Sequence, residues 1–180
     1  MTSRLPTEKD LFFLSIALEE GRIAARSGEV PMGALLVIDD EIISRGHNMR
    51  ESLNDPTAHA EIIVIRDASK RIGRWRLTGS TLYVTSEPCP MCAGAIVQSR
   101  IKRLVFGSYD KKGGGCGSII NIPEEERLNH RVEVIGGLQA EESRELLQDF
   151  FKGLRERKRA GIRDLGLGAS KSMVLTSPSL

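Results

Sequence analysis

From Thr7 onward the chain places Leu11, Leu14, Leu18 and Ala25 three, four and seven residues apart, the spacing of one helix face. Thr7-Glu8-Lys9-Asp10 reads as the start of that helix and Gly28 as its end. The pattern then changes. Gly33-Ala-Leu-Leu-Val-Ile38 and Glu41-Ile-Ile-Ser-Arg-Gly46 are short apolar runs on either side of Asp39-Asp40, which predicts a β-hairpin. His47-Asn48 and a polar loop lead to Asp55-Pro56-Thr57. A helix is expected from His59 to about Gly73, capped by an Asx residue or by Thr57. Thr81-Leu-Tyr-Val-Thr85 reads as a strand ending at Ser86-Glu87-Pro88, Pro90 to about Gln98 as a helix with proline at its entry, and Arg103-Leu-Val-Phe106 as the next strand. Gly107 to Gly117 reads as a flexible Gly-rich loop and Val132-Glu-Val-Ile135 as the last strand. A final helix, Gln139 to about Arg159, turns Leu146, Leu147, Phe150, Phe151 and Leu154 inward.

The order helix, hairpin, helix, strand, helix, strand, strand, helix predicts an α/β domain with helices covering a mixed sheet of about five strands. Its 180 residues fit one domain. Residues 161–180 lack periodicity and are rich in small side chains, so the domain is expected at 1–160 with a disordered tail. No stretch is long and apolar enough to span a bilayer, and the first residues lack a signal-peptide core; the expectation is a soluble, cytoplasmic protein. A formal net charge of +2 gives no bulk electrostatic signature of a nucleic-acid binder. The basic residues cluster, however. Arg155, Arg157, Lys158, Arg159 and Arg163 crowd the end of the last helix, and Arg71, Arg74 and Arg76 bracket Trp75. Favourable charge at a helix C-terminus and a solvated turn explain these two groups at least as well as RNA contact does.

Chemistry enters with two short segments, Thr57-Ala-His-Ala-Glu61 and Pro88-Cys-Pro-Met-Cys-Ala-Gly-Ala95. Together they spell H-x-E followed by P-C-x-x-C, the signature of zinc nucleobase deaminases. One imidazole, His59, and two sulfurs, Cys89 and Cys92, supply three ligands to a zinc ion, and a tetrahedral site with three protein ligands keeps its fourth position for water. A closed structural site needs a fourth ligand, and Cys116, His47 and His130 fall into no motif that would supply one. Both cysteines sit at a helix start, where partial positive charge favours thiolates. Glu61, two residues beyond His59, reads as a proton carrier beside the water that zinc activates. With two cysteines committed to metal, Cys116 is left alone; no disulfide framework exists and a reducing compartment is expected.

These motifs resemble the bacterial tRNA-specific adenosine deaminases of the cytidine/deoxycytidylate deaminase superfamily. The resemblance runs from about Glu29 to Arg157. It includes Glu29-Val-Pro, Gly46-His-Asn48, Asp55-Pro-Thr-Ala-His-Ala-Glu61, Leu82-Tyr-Val-Thr, Glu87-Pro-Cys-Pro-Met-Cys-Ala-Gly-Ala95, Val105-Phe-Gly, Asn129-His-Arg-Val-Glu133 and Asp149-Phe-Phe151. It implies a three-layer α/β/α sandwich, one zinc per subunit on His59, Cys89 and Cys92, and Glu61 as proton shuttle. It also implies Asn48 against the flipped adenine, Asp110 against the neighbouring nucleotide backbone, and Phe151 on the surface for the anticodon loop. The implied reaction is hydrolysis of adenosine to inosine at the tRNA wobble position, by a homodimer whose partner is an anticodon stem-loop. From the residues alone, Asn48 reads equally as a turn residue and Phe151 as a core aromatic. The zinc motif fixes the reaction type and not the substrate, so a deaminase of free guanine or cytosine is the nearest alternative. A non-catalytic zinc module that binds RNA is a third; Glu61 argues against it. The run Gly113-Gly-Gly-Cys116 and the basic extension depart from the family pattern.

Overall fold

The structure, a computed structural model, describes residues 5–159; Arg163 and the expected tail at 161–180 lie outside the described residues. Five strands make one mixed sheet in the order β2-β1-β3-β4-β5: β1 Gly33–Ile38, β2 Glu41–His47, β3 Thr81–Ser86, β4 Arg103–Ser108 and β5 Glu133–Gly136. β1 pairs antiparallel with β2 and with β3, whereas β3, β4 and β5 run parallel. The β1–β2 turn falls on Asp39 and Asp40, both at positive φ, as a two-residue hairpin turn requires.

Both faces of the sheet are covered, and the period of two along each strand explains how. Ala34, Leu36, Leu82, Val84, Leu104 and Phe106 point to one side. There they meet Ala60, Val64 and Ala68 of α3, Ala60–Ile72, and Ala93, Ile96 and Val97 of α4, Pro90–Gln98. The alternate residues Leu35, Val37, Tyr83 and Val105 face the other side, against Phe13, Leu14 and Ala17 of α1, Glu8–Arg26. The result is the expected α/β/α sandwich. The remaining helices are a single turn, α2 Arg50–Leu53, and the long α5 Ala140–Arg159.

Several expectations are corrected. α2 occupies part of the segment read as a polar loop, and its backbone is anchored by a buried carboxylate described below. Leu11 is 43% exposed; Phe13 takes the inward position and Leu11 lies beside the buried stripe. Neither an Asx residue nor Thr57 caps α3. Asp55 Oδ1 accepts from the N–H and the hydroxyl of Thr57, at 2.8 and 2.7 Å, in a turn that precedes the helix, and the N-cap is His59. In the final helix, Phe151 points outward at 42% exposure.

α1 is fixed to the sheet through Asp10, which is almost fully buried. Its carboxylate accepts from Arg103 Nη1 and Nη2 at 2.6 and 2.9 Å, from the Tyr83 hydroxyl at 2.8 Å, and from Thr7 in a capping box. Burial opposes its ionisation. The Arg103 guanidinium, the Thr7 N–H and the Tyr83 hydroxyl outweigh burial and hold the carboxyl well below the usual carboxylate range. A depressed pKa contributes stability above the unfolded-state value near 4, and that stability is lost as pH falls through the folded-state value. Asp10→Ala is expected to cost about 3 kcal/mol, the low end for breaking a buried ion pair, because Glu133 lies 3.6 Å from Arg103 and compensates in part. Urea unfolding at neutral pH and at acid pH checks both statements: the deficit of the variant should shrink as the wild-type carboxylate is protonated.

Candidate active site

α3 and α4 begin at the same place. His59 is the N-cap of α3 and Cys89 the N-cap of α4, and neither side chain caps its own helix. They turn towards each other instead. His59 Nδ1 lies 3.7 Å from Cys89 Sγ and 3.6 Å from Cys92 Sγ. Each helix start contributes unpaired N–H groups and partial positive charge, which favours sulfur as thiolate.

A tetrahedral zinc ion with bonds of about 2.1 Å to nitrogen and about 2.3 Å to sulfur spaces its ligands about 3.6 Å apart. The trio therefore fits such an ion without rearrangement. Among the described residues it is the group of side chains close enough to hold a metal. The other histidines are engaged elsewhere, His47 Nδ1 with Glu20 at 2.9 Å and His130 Nε2 with the Ile101 carbonyl at 2.7 Å. Protonation tells the same story. The Cys92 thiol, donating to Cys89, draws the Cys89 pKa down to about 4, with His59 adding to the pull against burial. Cys92 is pushed upward by that same bond and by burial, and His59 is raised chiefly by Cys89. Three crowded donors are sharing protons that a cation would displace.

Above the trio opens a cavity of about 360 Å³. Its lining includes every residue singled out from the sequence except Cys92, which is buried: His59, Glu61, Cys89, Asn48, Asp110 and Phe151. Glu61 is 2% exposed, and burial pushes its carboxyl pKa above the usual range. Burial that favours the neutral form of this carboxyl suits it to carrying a proton. Arg50, Tyr109 and Arg144 also line the cavity; the sequence offered no periodic or motif signal for them. Of the two basic clusters, none of the described residues contributes to the lining. Arg76 instead stacks on Trp75, 4.1 Å from the ring centre. The side chains of Lys158 and Arg159 lie outside the described residues.

Two buried glutamates missed as site residues hold the walls. Glu29 accepts from Asn48 Nδ2 at 3.1 Å, from the N–H groups of Glu51 and Ser52 at 3.2 and 2.7 Å, and from the Ser52 hydroxyl at 2.9 Å. This pins α2 and commits the amino end of the Asn48 amide, leaving its carbonyl end for a ligand. Glu87 accepts from the N–H groups of Asp110, Cys116 and Ser118 at 3.0, 3.0 and 2.9 Å, and from the Ser118 hydroxyl. Burial raises both carboxyl pKa values, but these donors outweigh it and hold both carboxyls below the ordinary range. The only advance signal was position: Glu29 before Val-Pro, Glu87 before Pro-Cys.

The Gly-rich segment is therefore not a flexible loop. It packs over the start of α4, with the Gly115 N–H donating to the Pro88 carbonyl at 2.8 Å and Cys116 only 5% exposed in the core. Cys116 is raised in pKa by burial and stands apart from the trio.

The α/β/α layering around this centre places the protein among the hydrolytic deaminases. The MafB19-like deaminase family model matches residues 8–155. A tRNA-specific adenosine deaminase of Bacillus subtilis (strain 168) is 50% identical over 157 residues, 87% of this chain and 98% of that one. A solved structure from work on A-to-I editing by tRNA:A34 deaminases at the wobble position of transfer RNA aligns with a TM-score of 0.73 at 47% identity, over 76% of this chain and 99% of that one. A guanine deaminase from Bacillus subtilis aligns less fully, with a TM-score of 0.53 at 40% identity over 54% of this chain and 63% of that one. The chain belongs to the tRNA-specific adenosine deaminase family.

Glycine at 114 is required by space. A Cβ there would lie 2.3 Å from the Glu87 carboxyl carbon. Gly114→Ala is expected to destabilise by about 1–3 kcal/mol, the scale of overpacking. Gly153→Ala in α5, where a Cβ meets nothing within 4 Å, should stabilise by about 0.5–1 kcal/mol. Thermal unfolding of the two variants side by side checks the contrast.

Proposed function

We propose that the protein hydrolyses adenosine to inosine at the wobble position of tRNA, with one zinc ion held by His59, Cys89 and Cys92. The observation that carries this reading is sequence identity held over the whole of a relative. The tRNA:A34 deaminase structure is 47% identical over 99% of its length, the guanine deaminase of B. subtilis 40% over 63%. The cavity supports it, with the metal trio and Glu61 at its foot and two arginines, Arg50 and Arg144, in its lining. A flipped base can enter such an opening while its flanking phosphates stay outside.

When bound, zinc supplies a Lewis acid that brings the pKa of water towards roughly 7. The protein's own groups then handle the protons. Glu61 takes one from the attacking water and gives it to the ring nitrogen N1 as the new C6–O bond forms. It next moves the remaining hydroxyl proton to the exocyclic nitrogen, so the C6–N bond breaks and ammonia leaves. Water is consumed and no oxidant or reductant is needed. Asn48, fixed by Glu29, offers its carbonyl oxygen to the base. Asp110 and Phe151 would flank the neighbouring nucleotides. A homodimer on an anticodon stem-loop belongs to the same reading; the exposed apolar Met91, Ile119 and Ile120 around the start of α4 support it. Among the described residues no helix is long and apolar enough to cross a membrane.

Glu61→Ala should keep its zinc and lose activity by roughly two to four orders of magnitude, whereas Cys89→Ala and Cys92→Ala should lose the metal. Elemental analysis beside an assay of inosine in an anticodon stem-loop reads both, with free guanine and cytosine in parallel. Apparent affinity for the stem-loop should fall as salt rises. Salt-independent turnover of free guanine, with no inosine in the stem-loop, would overturn the assignment.

A further inference from the structure

We propose that Glu87 is a positioning residue for the substrate wall of the pocket: it holds residues 108–118 against the start of α4 so that Tyr109 and Asp110 face the reacting centre. This rests on the function proposed above. Three features of the structure carry it.

The first is the placement of Glu87. It sits where β3 gives way to α4, two residues before the ligand Cys89, and it is 2% exposed. Its backbone N–H donates to the Ser108 carbonyl at 2.8 Å, so the last residue of β4 and the approach to the metal are tied together.

The second is the division of its four donors. Oε1 accepts from the N–H groups of Cys116 and Ser118; Oε2 accepts from the Asp110 N–H and the Ser118 hydroxyl. Asp110 is thus held by its backbone. Its side-chain Oδ1 accepts from the Lys112 N–H at 2.9 Å, which shapes the tip of the loop and orients the carboxylate. Tyr109, beside it, rests edge-on against Phe106 with ring centres 5.0 Å apart.

The third is the space the loop leaves. A Cβ at Gly115 would lie 2.8 Å from Pro90 N and 2.9 Å from the Cys89 carbonyl carbon. The loop reaches Glu87 only by passing this close to the helix that bears the sulfurs, which is why glycine occurs at both 114 and 115. Metal centre and substrate wall are adjoining but separately held. Cys89 and Cys92 meet His59, whereas Asp110 and Tyr109 depend on Glu87.

Replacing the carboxylate by an amide separates the two. A glutamine can keep its oxygen towards the Cys116 and Ser118 N–H groups, and the Ser118 hydroxyl can reverse to accept from its NH2 group. The Asp110 N–H has no such remedy, since it would face another donor. Glu87→Gln therefore releases Asp110 selectively.

The test uses the metal-loaded full-length protein. In Glu87→Gln, amide exchange at Asp110 should quicken by about tenfold or more, the scale of one lost buried hydrogen bond, while Cys116 and Ser118 change less. Zinc content should stay at the wild-type value. KM for the anticodon stem-loop should rise by about tenfold with kcat within about twofold. Adding Asp110→Ala to Glu87→Gln should raise KM little beyond Asp110→Ala alone. Glu87→Asp, which keeps the charge but withdraws the carboxylate by one methylene from all four donors, gives a second variant should the first fold poorly: exchange should quicken at Asp110, Cys116 and Ser118 alike, with zinc retained and KM raised. Unchanged exchange at Asp110, a loss of zinc, or a fall in kcat at constant KM would each overturn the proposal. If the wild-type protein leaves the stem-loop unconverted, the functional reading fails, and the exchange measurement still decides whether Glu87 holds the loop.

Discussion

Everything at the site depends on two helices starting within reach of one another on the same face of the sheet. α3 and α4 arrive there by different routes, α3 from the turn after α2 and α4 directly from β3. Small side chains allow the approach. Ala60 and Ala93 are fully buried in the core that joins the two helices to the sheet, and larger residues there would push the helix starts apart. The cost of leaving two helix N-termini without side-chain caps is offset by what they create, a cluster of partial positive charge that stabilises sulfur anions. Under the proposed function, the local sequence breaks a capping rule at His59 and Cys89 because those positions serve chemistry.

Four of the buried carboxylates perform three different jobs, and the number of donors each one finds decides which. Asp10 meets a guanidinium, a phenol, a hydroxyl and an N–H, so it stays ionised and fastens α1 to the sheet. Glu29 collects backbone N–H groups from the single turn α2 and Glu87 from the loop after β4; they too stay ionised, and their role is to give those segments a fixed shape. Glu61 lacks such a set, and burial dominates. A carboxyl whose neutral form is favoured by burial is what proton transfer needs, and a carboxylate saturated with donors is what a scaffold needs.

Much of this was legible in the sequence. The strands were found within a residue or two because each carries apolar side chains for two covered faces, as Leu35-Leu36 and Tyr83-Val84 do. The meeting of His59, Cys89 and Cys92 was legible because the metal geometry their motif implies demands fixed spacing along the helix starts. Other features depend on tertiary placement and leave no local trace. Phe151 and Leu147 follow one helical pattern and both line the pocket, yet Phe151 is exposed and Leu147 half-buried, a difference set by what packs against the helix and not by the spacing. A run of glycines reads as slack until the neighbouring side chain is known; here Glu87 occupies the space a Cβ would need. Cys116, read as standing alone, is in fact buried, by a loop whose order comes from a residue 29 positions away.

The division between legible and illegible follows the division between reaction and substrate. Under the proposed function the trio and Glu61 serve coordination and proton transfer, which are the same for any ring amine, so their pattern is shared and readable. Substrate choice would then rest on the rest of the lining, Asn48, Arg50, Tyr109, Asp110, Arg144 and Phe151, none of which belongs to the trio. Two of these lie in segments held by Glu29 and two in the segment held by Glu87, while Arg144 and Phe151 lie on α5. Changes in those segments can therefore reshape the opening while the paired helix starts, and the chemistry they support, stay as they are.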